Sequence, residues 1–483
     1  MKIIKILKIS SLVYLLIPTY LFLLTWVRAE IGISACLIIS IFVFNYLKNS
    51  QTDKVRRLKT PINWLTVTLV FVLALVLNLL VGIGEFREQT VDFMANNLKY
   101  RDLVQNKWPL YYPDFKVYMC YYLGYYLPTA GLGKIVGIEY CRYISLVWST
   151  TGAFLVFLWA ITFLDKYRLS VIGVIILFSN AWLVYKVILW LDFQTYIYPP
   201  YHVKLNNFWL MRPPFWEGFA LAPQHVFPAC FGACFMLEAN FLKKINLDEM
   251  LLMLLATMYW SPLASIGIFP FVLYYYLNNW SSLFTLKSII EKIFLVLGFT
   301  PLIIYFLSTQ GVNSDNTQFM WQAGVEKWYW TYLFYIVFNF LIWYFFLKQF
   351  QHPFTKMVKV ALLFLTIVPL YQIGIANDLN IRASVPSMFI LTVAIAYVFV
   401  QAQKRKLYYW LGLAFFLINT LPTLHQVYKS ILPSKPQTTI MKADYKQFHN
   451  MLSFQQVMYG DSTAVLEYSL KNDSFFEKHL LKK

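Results

Sequence analysis

Long apolar runs recur from one end of the chain to the other, each closed by a short polar or basic connector. A helix needs ~20 such residues to cross a bilayer, so the pattern predicts an all-α polytopic membrane protein. Spans fall near 11–27, 31–47, 62–83, 143–164, 169–189, 219–241, 291–308, 329–347, 358–376, 384–401 and 407–423. The run 249–278 is too long for one helix and is interrupted by "WSPLASIG" (260–267). Proline in mid-run favours two short antiparallel pieces meeting at a tip, 260–262. The segment "VYMCYYLGYYLPTAGLGKIVG" (117–137) carries many tyrosines, Lys134, proline and glycine. It reads as a helix lying at the outer interface rather than crossing.

Charge orients these spans. Basic connectors are the N-terminus, 48–60, 165–168, 243–244, the stretch around Lys287 and Lys292, 348–356 and 401–406. Connectors poorer in basic charge are 190–217, 309–328 and 377–382. Placing the basic set in the cytoplasm gives about thirteen transmembrane helices, N-terminus inside and C-terminus outside. Residues 84–142 then form one long first external region. The chain divides into a transmembrane domain, 1–424, and a small extracytoplasmic tail, 425–483. The N-terminal "MKIIKILKIS" starts like a secretory signal, but no small-x-small site precedes "WVRAE", which predicts a retained first helix.

Composition agrees: 59% of the 483 residues are hydrophobic and 13% charged, with a mean hydropathy of +0.55. A soluble chain is about one-quarter charged. The net charge of +18 sits largely in the connectors, so it reports topology and predicts no nucleic-acid partner. Five cysteines, Cys36, Cys120, Cys141, Cys230 and Cys234, show no CxxC or metal-ligand spacing and read as small apolar packing residues. No metal site is predicted. A Gly-rich nucleotide loop, HExxH, Walker and Rossmann patterns are all absent, which excludes an ATP-driven pump or a cytoplasmic nucleotide-sugar enzyme and predicts no cofactor.

Three external segments carry candidate chemistry. The first, "GEFREQTVDFMANNLKYRDLVQNKWPLYYPDF" (84–115), holds Asp92, Lys99, Arg101 and Asp102. A carboxylate here either acts as a general base towards an acceptor hydroxyl or simply pairs with Lys99 and Arg101 in a hydrated loop. The second, "RPPFWEGFALAPQHVFPAC" (212–230), sets Gln224 and His225 at the outer end of a span. An ionisable residue at that depth marks either a functional site or a ring satisfied by a backbone carbonyl, and the amide of Gln224 suits sugar recognition. The third, "ANDLNIRASVP" (376–386), sets Asp378 and Arg382 at i,i+4 where the next span begins. A guanidinium at a helix N-terminus suits a phosphate; the alternative is a local Asp–Arg cap.

The order of these pieces resembles the GT-C superfamily of integral-membrane glycosyltransferases, and within it a group of bacterial multi-pass proteins. The pieces are "VDFMANNLKYRDL…KWPLYY" (91–112), "YYLGYYLP" (121–128), "APQH" (222–225), "SPLASIGIFP" (261–270) and "NDLNIRASVP" (377–386), spread over most of residues 62–425. The group's first motif reads D-W-x-K-H-N; here Asp92 and Asn97 match, while Ala95 and Asn96 replace the basic pair. The resemblance implies a bacterial inner-membrane enzyme, its site facing the exterior, that moves a sugar from a polyprenyl-phosphate donor to a glycan or lipid acceptor with inversion. It implies Asp92 as catalytic base and a lipid-phosphate site on the external side. Arg382 is the residue chosen for that phosphate, beside Asp378. Gln224 and His225 would line the sugar or acceptor pocket, His225 as a second catalytic candidate beside Asp92, with Arg101 and Asp102 as further substrate contacts. A transporter or flippase of lipid-linked saccharides, and a polysaccharide polymerase or ligase, remain alternative readings.

Overall fold

The computed structural model describes residues 2–49, 58–87, 89, 91–179, 210, 213–242, 245–280, 286–311, 317–324, 328–374, 377–401, 407–432, 448–459 and 462–482. Three helices open the chain: α1 (Lys2–Thr25), α2 (Ala29–Asn49) and α3 (Trp64–Leu80). The first long connecting region follows, with α4 (Val91–Gln105), the antiparallel pair β1 (Tyr111–Tyr112) and β2 (Val117–Tyr118), and α5 (Leu127–Val136). Next come α6 (Cys141–Thr162), α7 (Ser170–Leu177), α8 (Phe215–Leu221), α9 (Pro223–Ala239), α10 (Leu247–Met258), α11 (Pro262–Asn278) and α12 (Leu286–Leu307). After β3 (Thr317–Phe319), α13 (Trp328–Ile336) passes through a π turn into α14 (Ile342–Lys348), and α15 (Thr355–Ile367) follows. Strand β4 (Tyr371–Ile373) pairs with β3 and leads to α16 (Asp378–Ala383), α17 (Val385–Gln401), α18 (Leu407–Ile431) and α19 (Met451–Tyr459).

Seven helical stretches among the described residues are long and apolar enough to cross a membrane: Ile3–Thr25, Ala29–Lys48, Ile138–Thr162, Ser288–Leu307, Trp328–Lys348, Asp378–Gln401 and Leu407–Ile431. This is a helical, multi-pass membrane protein. Helix α3 is apolar but shorter, and α9, α10, α11 and α15 also fall short of a full crossing. The expected fifth span is described only through α7 and the two residues after it; residues 180–189 lie outside the described set. The break predicted near 260–262 is present, with α10 ending at Met258 and Ser261 capping α11 by accepting from the Ala264 amide at 3.0 Å.

Contacts sort the helix ends into two groups. At one end Lys8 of α1 pairs with Glu249 of α10 at 2.6 Å, Asp248 with Lys292 of α12 at 2.8 Å, and Lys59 with Asp165 at 3.0 Å. There Asn240, just after α9, donates to Pro353 O at 2.6 Å. These described ends of basic connectors thus lie on one side of the bundle. The opposite, loop-rich end holds the first long region, the start of α9, the α10–α11 tip, β3–β4 and the residues after 448. Helix α9 runs between the two, and all of its residues are buried. A helix apolar all round is stable only when packed on every side. Its Cys230 and Cys234 are free and buried, as packing residues.

Two expectations about the first long region are corrected. Residues 91–105 are no hydrated loop: α4 is a helix whose polar side chains, Asn96, Asn97, Lys99, Arg101 and Asp102 among them, are buried. Residues 117–137 are not one interfacial helix, since only Leu127–Val136 is α-helical and Tyr121, Tyr125 and Tyr126 point into the core. Their hydroxyls explain how: Tyr125 OH meets Ser149 Oγ and Tyr126 OH donates to Asn96 Oδ1, both at 2.5 Å. Helix α5 does expose Leu132, Ile135 and Val136, an apolar face suited to a bilayer surface.

Close backbone approach holds the loop-rich end together. A Cβ on Gly124 would sit 2.9 Å from Trp260 Cα, and one on Gly267 of α11 only 2.0 Å from Ala383 O of α16. Gly267→Ala is expected to lower the melting temperature in detergent. Overpacking against a backbone costs about 1–3 kcal/mol or more, outweighing the ~1 kcal/mol gain in helix propensity. An unchanged or raised melting temperature would show that α16 is free to shift.

Candidate functional site

The start of α9 is fixed by Pro223 in its first turn, which places Gln224 and His225 on the next positions, both almost fully buried. His225 Nδ1 lies 2.6 Å from Ser261 Oγ. That oxygen also accepts from the Ala264 amide, which ties the His225 ring to the cap of α11. Nε2 of His225 and Oε1 of Gln224 are buried, with no hydrogen-bond partner among the described residues. Buried polar atoms are nearly always paired, so two adjacent exceptions point to a place that takes a polar ligand.

Arg382 arrives from α16. Asn377, with φ at 48°, caps this helix by accepting from the Asn380 amide at 3.3 Å, which brings Asp378 and Arg382 onto one face. Arg382 Nη2 pairs with Asp378 Oδ1 at 2.9 Å, as a local cap would. Its Nη1 also donates to Tyr122 OH at 2.6 Å, 260 residues away in sequence, and the Tyr122 ring lies 4.9 Å from the His225 ring. The Asp–Arg pair, Tyr122, His225 and Ser261 are therefore one contiguous group.

Lys99 of α4 closes another side. It is buried, its ammonium 4.6 Å from the Tyr121 ring and 5.0 Å from the Tyr126 ring, and it donates to Asn96 Oδ1 at 3.3 Å. Asn96 Nδ2 is buried without a hydrogen-bond partner among the described residues. Lys99 and Arg382 both lie within electrostatic range of His225.

The residues after 448 complete the group. Tyr468 O accepts from the Cys120 amide, and the Leu470 amide donates to Tyr118 O, both at 2.8 Å. The Tyr468 ring sits 4.7 Å from that of Tyr121. Glu467, half-buried next to it, has its carboxyl raised above the usual range by burial and by neighbouring Asp378, with Arg382 opposing.

Arg101 and Asp102 lie elsewhere. Arg101 donates to His449 O at 2.8 Å, and Asp102 Oδ2 accepts from the Met451 amide at 2.8 Å and Tyr112 OH at 3.0 Å. They clamp the start of α19 onto α4 and share no described contact with Arg382, Tyr122 or His225. Asp92 belongs to the first turn of α4, and its side chain lies outside the described residues. Among the described residues no group of three His, Cys, Asp or Glu is placed to hold a metal ion. Sequence reasoning passed over Asn96, Tyr122, Ser261, Glu467 and Tyr468 as site members. Only Ser261 carried a readable signal, as the serine before a helix-opening proline.

Burial moves the Asp102 carboxyl from its usual 3.8 up to about 6, against the opposing pull of the Met451 amide, Tyr112 and Arg101. A carboxyl raised on folding stabilises the docked tail fully below its unfolded value, and that contribution is lost as pH rises through the folded value. Amide exchange at Met451, corrected for the intrinsic pH dependence of exchange, is therefore expected to be slower at pH 4 than at pH 7. Asp102→Ala should speed it at both, since the Met451 amide and Tyr112 hydroxyl lose an acceptor at about 1–3 kcal/mol. Exchange that is indifferent to both changes would remove Asp102 as the clamp.

Comparison of the chain with family models, curated proteins and solved structures gives no match, so its function is argued from the geometry of this site.

Proposed function

We propose that this protein is a membrane glycosyltransferase. It would move a sugar from a polyprenyl-phosphate donor to a glycan or lipid acceptor at the external face of a bacterial inner membrane. The observation that carries this reading is the convergence of Arg382, Lys99, Tyr122, His225 and Gln224 at the loop-rich end of the bundle. Two cations there stand beside buried polar atoms that have no hydrogen-bond partner among the described residues. Guanidinium recognition of phosphate oxygens uses this chemistry.

An apolar crevice adds to it. It is lined by Phe178, Phe215, Val226, Ile381, Val385 and Met388. Val226 follows His225 and Ile381 precedes Arg382, so apolar surface belongs to the same helix ends as the polar group. In the proposed reaction the acceptor hydroxyl gives its proton to a carboxylate, with Asp92 as the candidate from its motif position. The freed oxygen bonds to the anomeric carbon from the side opposite the leaving group. The carbon–oxygen bond to phosphate breaks, and its electron pair leaves on the phosphate, where Arg382 and Lys99 stabilise the charge. Gln224 Oε1 offers an acceptor for a sugar hydroxyl, and His225 Nε2 offers a donor or an acceptor according to the ring's tautomer.

Farnesyl phosphate, a short prenyl phosphate, tests the donor half in nanodiscs. Arg382→Gln is expected to weaken its binding by about ten-fold to a hundred-fold, the worth of a charged hydrogen bond. Asp92→Asn should abolish sugar transfer from a prenyl-phosphate sugar while leaving farnesyl phosphate affinity within about three-fold, as expected for a group acting in the transition state. Equal binding by the wild type and Arg382→Gln would dismiss the phosphate site.

A further inference from the structure

Residues 448–482 are more than a covering appendage. From α19 onward they are anchored at four places: Asp102 and Arg101 hold 449–451, Met119 pairs with Ser469, Thr309 with Leu470, and Val27 with Leu481. Phe476 is buried against Phe22 and Tyr305, with ring centroids 6.1 and 5.1 Å away. These contacts fix the backbone on both sides of Glu467 and Tyr468. Tyr468 lies on Tyr121, whose neighbour Tyr122 holds Arg382.

Glu467 is the anomaly. Its carboxylate is half-buried and in electrostatic range of both Asp378 and Arg382, yet it takes part in no described ion pair or hydrogen bond. Arg382 is already engaged by Asp378 and Tyr122. Beside Asp378 this partly exposed carboxylate carries like-charge repulsion. It also disfavours a phosphate. What it suits is a hydroxyl donor, the chemistry of an acceptor rather than of a donor lipid.

We propose that the C-terminal tail forms the acceptor side of the Arg382 site, with Glu467 accepting a hydrogen bond from the acceptor's hydroxyl, so that the site is incomplete until the tail is docked. The assignment of Glu467 rests on reading Arg382 as the phosphate contact. The placement of the tail does not, and the two are tested separately. No bond is made or broken by Glu467 in this role; it orients the hydroxyl that the reaction consumes.

The placement is read without any ligand, from the rate at which phenylglyoxal modifies Arg382 in the full chain, followed by peptide mass spectrometry. Leu470→Pro removes the amide that donates to Tyr118, and Tyr468→Ala removes the ring on Tyr121 as a milder change. Each is expected to raise Arg382 modification about ten-fold, alongside faster amide exchange at Cys120, as local opening predicts. Unchanged modification despite a deprotected Cys120 amide would overturn the placement. The assignment is read from farnesyl phosphate binding. Glu467→Gln should tighten it about three-fold or more, because a like charge facing the phosphate is gone. Identical affinity in Glu467→Gln and wild type would overturn the role of Glu467. If the wild type binds no farnesyl phosphate, the donor reading and the Glu467 role resting on it fall together. Faster Arg382 modification in the two tail variants would then still support the tail's place.

Discussion

A guanidinium set among tyrosines at the end of an apolar bundle has to be satisfied by groups that stay in place, and much of the loop-rich end is arranged to do that for Arg382. Asp378 meets it from the same helix and Tyr122 from the first long region. Tyr122 in turn packs on His225, whose Nδ1 is held by the serine that caps α11. Removing any one of these leaves the half-buried guanidinium or a buried polar atom short of a partner it now has. The group is accordingly a set of mutual dependences rather than a sum of pairs.

Backbone proximity makes those dependences possible. Gly267 lets α11 lie against the carbonyl of Ala383, and Gly124 lets the tyrosine-rich segment lie against Tyr259 and Trp260. A side chain at either position would separate the elements by more than a hydrogen bond tolerates. The two glycines therefore set the distance between Arg382, Tyr122 and Ser261, although neither carries any chemistry.

The same end shows how a polar helix can be buried. Helix α4 buries Phe93, Ala95, Leu98, Tyr100 and Leu103 and, among them, a set of polar side chains. It is stabilised by partners for its polar groups: Asn97 donates to Glu85 and Gln89, Asn96 accepts from Tyr126, and Arg101 and Asp102 bind the backbone of 449–451. These partners belong to the tyrosine segment and the C-terminal tail. The tail thus contributes to the fold of the first long region as well as to the site beside it.

Much was legible from the chain alone. Apolar run length marks the helices because a buried or lipid-facing helix must be apolar over most of its surface. Ser261 and Pro262 mark the break between α10 and α11 because proline opens helices and serine caps them. Gln224, His225, Asp378 and Arg382 stand out as polar residues where apolar ones are the rule. The rest depended on pairing across hundreds of residues. Nothing local distinguishes the inward tyrosines of 121–126 from an interfacial belt, since the same amphipathic ring suits both places. Lys99 and Arg101 are two residues apart on one helix, yet one faces the tyrosines and the other the tail. Glu467 lies in a polar segment with no motif, and only the pairing of the residues that follow it, Tyr468, Ser469 and Leu470, to Cys120, Met119 and Tyr118 brings it towards Arg382. The chain by itself determined that helices form, where they break and which residues are too polar for their surroundings, because those depend on local periodicity and solvation. Which of those residues meet was decided by tertiary structure, because a contact across the bundle is set by close packing and by the partners a buried polar group requires.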